Sequence, residues 1–228
     1  MSGIKTVLVD IDGTLVDTND AHALAWVDAL HEAGHKTAFD KIRPLIGMGA
    51  DQLLPRVVGI EKASPEGEAL VAAWTKHFKE TYLAQAKALP GAADLLKHLQ
   101  AKGLRTVATS SGESDVADAL LLLVGDDAVL TAKTTSGDAE HSKPAPDIVL
   151  AALEKAGATA SETVLIGDTP YDIAAGRAAG VGVIALRSGG FADEQLAGAI
   201  ALYNNPADLL KHFDTSPLSQ TGLGTIVA

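Results

Sequence analysis

Four short apolar runs, each followed at once by a polar or glycine-rich turn, constrain this chain more than any other feature. They are Thr6-Val7-Leu8-Val9 before Asp10-Ile11-Asp12-Gly13-Thr14, and Leu104–Ala108 before Thr109-Ser110-Ser111-Gly112. Thr163–Ile166 comes before Gly167-Asp168-Thr169-Pro170, and Val181–Leu186 before Arg187-Ser188-Gly189-Gly190. Runs rich in β-branched residues and lacking polar alternation are strands buried on both faces, as in a parallel sheet covered by helices. Helical spacing lies between them. Ala92, Leu95, Leu96 and Leu99 form one apolar stripe, opened by Pro90-Gly91 and closed by Gly103. Ile148–Leu153, Ile173–Ala179 and Ala207–Leu210 read the same way. Strand and helix in alternation predict an α/β fold with a doubly wound parallel-sheet, Rossmann-like core.

One stretch breaks the alternation. Residues 17–86 carry helical patterns near 19–33, 49–58 and 64–85, with turns at Gly34, Arg43-Pro44, Gly47 and Gly59, and no convincing strand. The expected organisation is a core built from residues 1–16 and 87–228, with 17–86 inserted as an all-helical cap over the carboxyl end of the first strand.

Composition narrows the function classes. With 47% hydrophobic residues in 228, general disorder is excluded, and with 4% aromatic the core must be mostly Ala, Leu, Val and Ile. Asp and Glu number 29 against 18 Lys and Arg, a formal charge of −11, which argues against nucleic acid and anionic membrane as partners. The absence of cysteine excludes disulfides, zinc–thiolate sites, iron–sulfur clusters and cysteine nucleophiles. No apolar stretch approaches the ~18 residues of a membrane span. Nothing near Met1 resembles a signal peptide, because strand-like Ile4–Val9 runs directly into acidic Asp10, so a cytoplasmic protein is expected. Oligomeric state is open.

Ligands of open parallel sheets bind outside the carboxyl ends of the strands. Asp10, Asp12, Thr109, Ser110, Asp168 and Asp172 would gather at that edge. Carboxylates so crowded need a cation between them or a shared proton. D-x-D-G-T arises by chance roughly once per hundred thousand positions at average residue usage. A plain Asp-Gly turn is the alternative reading.

Asp10-Ile11-Asp12-Gly13-Thr14, Thr109, Lys143-Pro144-Ala145-Pro146-Asp147 and Gly167–Asp172, in this order, resemble the four motifs of the haloacid dehalogenase-like hydrolases. Within that superfamily the chain is similar to the helical-cap phosphatases related to phosphoglycolate phosphatase and β-phosphoglucomutase. The resemblance covers essentially the whole chain. It implies an Mg2+-dependent phosphomonoester hydrolase acting on a small phosphorylated metabolite. Asp10 would be the nucleophile that forms an aspartyl-phosphate, and Asp12 the general acid and base, with its pKa raised relative to Asp10. Thr109 would bond the transferring phosphoryl group, with Ser110 beside it, and Lys143 would offset its charge. Asp10, the backbone carbonyl of Asp12, Asp168 and Asp172 would hold Mg2+, while Asp172 also reads as the close of a helix capping box.

Substrate choice is expected in the cap, around Gly47 and the faces bearing His22, Trp26, Arg43 and Arg56. The nearest rival is a β-phosphoglucomutase-type phosphoryl transferase, to which His22 and Trp26 are also similar. Mutases carry basic residues where this chain has Ile46 and Ala50. A non-catalytic phosphometabolite-binding protein is the rival from a different class. His31-Glu32-Ala33-Gly34-His35 spells the zinc-protease H-E-x-x-H, but Gly34 is expected to end the helix and leave His35 off the face of His31.

Overall fold

The computed structural model describes residues 3–125 and 130–219. Along the chain β1 (Thr6–Asp10) is followed by the short β2 (Val16–Asp17), then α1 (Asn19–Glu32), α2 (Phe39–Ile42), α3 (Ala50–Val57) and α4 (Pro65–His77). β3 (Lys87–Ala88) pairs antiparallel with β2 and returns the chain to the core. There follow α5 (Ala92–Ala101), β4 (Arg105–Thr109), α6 (Ser114–Val124), β5 (Ala132–Thr134) and α7 (Asp147–Ala156). β6 (Thr163–Gly167), α8 (Pro170–Ala178), β7 (Gly182–Leu186), β8 (Ala201–Tyr203) and α9 (Pro206–Lys211) complete it.

The six-stranded sheet runs β5-β4-β1-β6-β7-β8, every neighbour parallel. The chain winds outward from β1 to β5 on one side, then crosses back to β6 on the other. β1 therefore borders the point where winding reverses, the place where open α/β sheets bind ligands. Every residue of β1, β6 and β7 is buried. Val7 and Val9 join the apolar cluster of α5 and α6, while Leu8 joins Ile148 and Val149 of α7 on the other face. β5 and β8, three residues each, are too short to give a pattern, and α6 also escapes the periodicity reading.

The inserted block is helical, framed by the β2–β3 ribbon. The expected helix over 64–85 is one rod in three parts: α4 with Ser64 as N-cap, a π turn at Phe78–Tyr82, and a 3-10 turn at Leu83–Gln85. Leu30, Leu53, Leu54, Leu70 and Phe78 are buried in a cluster continuous with Ile11, Leu15 and Val16. The block is thus seated on the core by apolar contact. Polar bonds add to it: Arg43 Nη2 donates to the Gly189 carbonyl (2.7 Å), Gly49 N to Ser142 Oγ (2.9 Å), and Tyr171 Oη to the Pro44 carbonyl (2.5 Å).

α1 ends at Glu32, and Gly34 turns the chain with φ +88°. His31 Nε2 lies 2.9 Å from the Thr37 carbonyl and His35 Nε2 lies 3.1 Å from Glu66, so the H-E-x-x-H pair faces two different partners. The tail docks through buried Leu218; residues 220–228 lie outside the described residues. No helix among the described residues is long and apolar enough to cross a membrane.

Candidate active site

Sheet register assembles the site. Asp10 faces Thr109 across β1 and β4, and Val9 faces Ile166, so Gly167-Asp168 leaves the sheet beside Asp10. Carboxylate oxygens of Asp10, Asp168 and Asp172 all lie within 4.8 Å of one another, and all three residues are buried. Lys143 is 1% exposed and its Nζ donates to Asp10 Oδ1 and to Asp172 Oδ1, the latter at 2.7 Å. Asp172 Oδ2 accepts from Thr169 N (3.1 Å) and Thr169 Oγ1 (2.6 Å), closing the capping box of α8. Its roles as helix cap and as member of the acidic cluster coexist. Asp168 accepts from Thr14 Oγ1 (3.1 Å) and Asn19 Nδ2 (2.7 Å). A side chain at Gly13 would meet Asp168 at 2.1 Å, and its φ of +70° already favours glycine.

Thr109 Oγ1 is buried with no hydrogen-bond partner. An unsatisfied buried hydroxyl costs about 1–3 kcal/mol, so its place beside Asp10 suits a ligand that supplies the partner.

The electrostatics are those of a cluster holding too much negative charge. Burial pushes Asp10 well above the usual carboxylate range; Lys143 opposes this, while Asp172, Asp168 and Asp12 add to it. Burial, then the Asp172 charge, push Asp168 up to about 7. Burial disfavours the Lys143 ammonium, but Asp10 and Asp172 outweigh it and hold the group protonated beyond its ordinary range. Three convergent carboxylates are the hard oxygen donors that Mg2+ takes, and a divalent ion would relieve their mutual repulsion.

Asp12 is turned elsewhere. Its Oδ1 accepts from Thr18 Oγ1 (2.6 Å) and lies 2.6 Å from His22 Nε2. Burial acts to raise this carboxyl, yet the His22 imidazole and the bonds from His22 and Thr18 hold it below the usual value. The expected order of the two aspartates is therefore reversed here: at Asp10 burial and the neighbouring carboxylates outweigh Lys143, whereas at Asp12 His22 and Thr18 outweigh burial.

Asp12 opens onto a cavity of about 60 Å3 between the helical block and the core. His22, Trp26 and Gly47 line it; His22 is stacked on Phe78 (centroids 4.1 Å) and Trp26 on Trp74 (5.2 Å). Gly47 has φ +109°, and a side chain there would strike Thr169 at 2.7 Å, so its backbone must run close to the core. Ser110 does not line the cavity: its Oγ accepts the Gly112 N–H, and Ser111 and Gly112 form the wall. Arg43 is drawn off to Asp20 (2.5 Å) and Gly189, and Arg56 to Gln52.

Comparison with known proteins decides the family. A family model described as haloacid dehalogenase-like hydrolase matches residues 4–180. The chain belongs to this family. It is 33% identical over 225 residues to phosphoglycolate phosphatase of Rhodospirillum rubrum, covering 90% of this chain and 89% of that one. It is 28% identical over 181 residues to fructose-1-phosphate phosphatase YqaB of Escherichia coli, covering 79% and 95%. It spans only 18% of one much longer relative, Protein SUPPRESSOR OF QUENCHING 1, chloroplastic, of Arabidopsis thaliana. Among solved structures, a hydrolase from Pseudomonas syringae superposes with TM-score 0.86 at 32% identity, covering 92% of this chain and 98% of that one.

The haloacid dehalogenase-like architecture also recruits side chains that motif reading passes over. Thr14, Thr18 and Asn19 donate to Asp168 and Asp12, and their signal was local: hydroxyls and an amide within ten residues of Asp10 at a helix start. Lys62, Trp74, Ser111 and Glu113 complete the cavity wall. Of these, Ser111 lies in the Thr109-Ser110-Ser111-Gly112 turn and Glu113 directly follows it, while Lys62 and Trp74 adjoin no motif.

Proposed function

We propose that this hydrolase is an Mg2+-dependent phosphomonoesterase acting on a small phosphorylated metabolite through an aspartyl-phosphate on Asp10. The observation that carries the reading is the joint placement of Asp10, Lys143 and the partnerless Thr109 hydroxyl at one strand edge, with Asp12 two residues on, at the cavity. An Asp10 oxygen attacks phosphorus and the ester oxygen leaves with a proton from Asp12. Asp12 then takes a proton from the water that hydrolyses the aspartyl-phosphate, freeing phosphate and restoring Asp10. The 2.6 Å contact allows Asp12 and His22 to share that proton. A carboxylate meeting a phosphate dianion at 4 Å faces roughly 8 kcal/mol of repulsion at an effective dielectric near 20. Lys143 offsets part of it and Thr109 bonds a phosphoryl oxygen. Mg2+ held by Asp10, Asp168, Asp172 and the Asp12 carbonyl would supply the remaining positive charge.

Residues 17–86 act as the cap in this reading, with 1–16 and 87–228 as the core, and closure excludes bulk water during transfer. Ile46 and Ala50 line the cavity, which leaves no basic pair there for a second phosphate and favours hydrolysis over a mutase reaction.

The test is phosphate release from para-nitrophenyl phosphate and a panel of metabolite phosphates, in Mg2+ or excess EDTA. Release should be at least about 100-fold faster with Mg2+; no release from any compound overturns the reading. Mg2+ at a hundredfold excess over its Kd should also stabilise the fold by about 2.7 kcal/mol, or roughly 5–10 °C in Tm. At one fixed Mg2+ concentration that gain should grow from pH 5.5 to pH 8. Asp168 sits at about 7 against an ordinary 3.8, so the stability its proton confers is complete below about 4 and is lost as pH rises through 7. Cation binding needs the ionised form and gains over the same interval. A pH-independent shift would contradict this assignment of ligands.

A further inference from the structure

Lys143 reaches Asp10 from residues 139–146, a segment without helix or strand between β5 and α7. Some hydrogen bonds of this segment are local. Ala145 N donates to the Ser142 carbonyl (3.0 Å), and His141 N donates to Asp147 Oδ2 (2.9 Å) at the start of α7. The Lys143 ammonium holds Asp10 and Asp172. Among the described residues, the bonds that remain between this segment and the rest of the protein go to the cap, and both meet Ser142. Gly49 N donates to Ser142 Oγ at 2.9 Å, and Ser142 N donates to Asp51 Oδ2 at 3.0 Å. Gly49 is the N-cap residue of α3, and Asp51 lies in its first turn. Hydrogen bonds from the cap thus fasten the backbone one residue before the ammonium.

Asp51 suits this task. Burial disfavours its charge, yet the bonds from Ser142 and Gln52 hold the carboxyl below its ordinary value, so it is a carboxylate at neutral pH. A hydrogen bond to an ionised acceptor is roughly twice as strong as a neutral one. Gly49 and Ala50 line the cavity at Asp12 and Asp51 does not, so its route to the reaction runs through Ser142 and Lys143.

We propose that Asp51 is a positioning residue for Lys143: when the cap seats on the core, its carboxylate and the Gly49 amide clasp Ser142 and set the next residue's ammonium on Asp10. Closure then completes the charge arrangement as well as excluding water. With the cap lifted, both bonds pass to water and the segment loses its tie to α3. This rests on the phosphomonoesterase reading and adds a condition to it, that phosphoryl transfer waits for the cap.

The test is a double-mutant cycle on kcat/KM for para-nitrophenyl phosphate in Mg2+, with amide hydrogen exchange alongside. Asp51→Ala should lower kcat/KM by about 10- to 100-fold, the range for a reacting group displaced by up to about 1 Å. Asp51→Asn keeps an acceptor oxygen for Ser142 N and should recover most of that loss. In a Lys143→Met background, Asp51→Ala should cost less than about twofold, because no ammonium is left to misplace. A residue that only holds the cap down would cost the same factor in both backgrounds. Exchange in residues 139–146 should quicken at least about tenfold in Asp51→Ala, while β1 and β6 keep their protection. Equal losses in the two backgrounds, no loss in the wild-type background, or unchanged exchange in 139–146 overturns the proposal. A wild type that releases phosphate from no compound sinks the phosphomonoesterase reading instead, and exchange then still decides whether Asp51 holds the segment.

Discussion

Asp10→Asn is expected to abolish phosphate release, with kcat/KM falling by at least about 10^4-fold, the scale of losses when a covalent nucleophile is removed. The amide keeps the shape of the carboxyl but cannot attack phosphorus. Its carbonyl oxygen can still accept from Lys143, so Lys143 keeps two partners, Asp172 being the other. The fold should not suffer. Burial among Asp168, Asp172 and Asp12 pushes Asp10 up, which means that ionising it works against the native state. Neutralising the position should leave Tm in EDTA unchanged or higher. Such a variant separates function from stability, as expected where a site stores like charge for its reaction. Turnover within tenfold of wild type, with a normal Mg2+ response, would end the assignment of Asp10 as nucleophile.

The sheet and the acidic cluster were legible from the sequence because both follow from local pattern plus one topological rule. Strands buried on both faces announce themselves as unbroken apolar runs, and in a parallel sheet the residues after each run must share an edge. Asp10, Thr109 and Asp168 meet for that reason. Strands β5 and β8 stayed silent because three residues at a sheet edge need no apolar run. The cavity wall was legible only in part. His22 and Trp26 lie one helical turn apart on α1, yet nothing near Lys62 or Trp74 signals that their loop and helix close over Asp12. Those positions are fixed by how the helical block seats on Ile11, Leu15 and Val16, a tertiary packing result with no short-range signature. Arg43 shows the converse. A cation at the right place in the sequence is consumed by Asp20 and the Gly189 carbonyl, and so serves the seam between block and core. The relative acidity of Asp10 and Asp12 could not be read either, because it depends on which donors each carboxylate meets in three dimensions.

Lys143→Met carries the second large effect, and it reaches stability as well as rate. Methionine fills most of the same volume without charge, so packing around this buried side chain is largely kept. The bonds to Asp10 and Asp172 are lost, and three convergent carboxylates remain without their cation. Attack on a phosphate dianion then meets the full repulsion, and kcat/KM should fall at least about 10^3-fold, in line with the loss of one preorganised electrostatic partner. Breaking a buried charge pair by removing one member costs about 3–5 kcal/mol. In EDTA at pH 8 denaturant unfolding should show a deficit of that order. At pH 5.5 it should be smaller, because Asp168, already pushed up to about 7, takes a proton there and stops repelling. Mg2+ at pH 8 should recover part of the deficit by returning positive charge to the same oxygens, while leaving turnover low because the ammonium beside Asp10 is still missing. A stability loss equal at both pH values and unmoved by Mg2+ would mean that Lys143 acts through packing alone, and the electrostatic account of the site would fail with it.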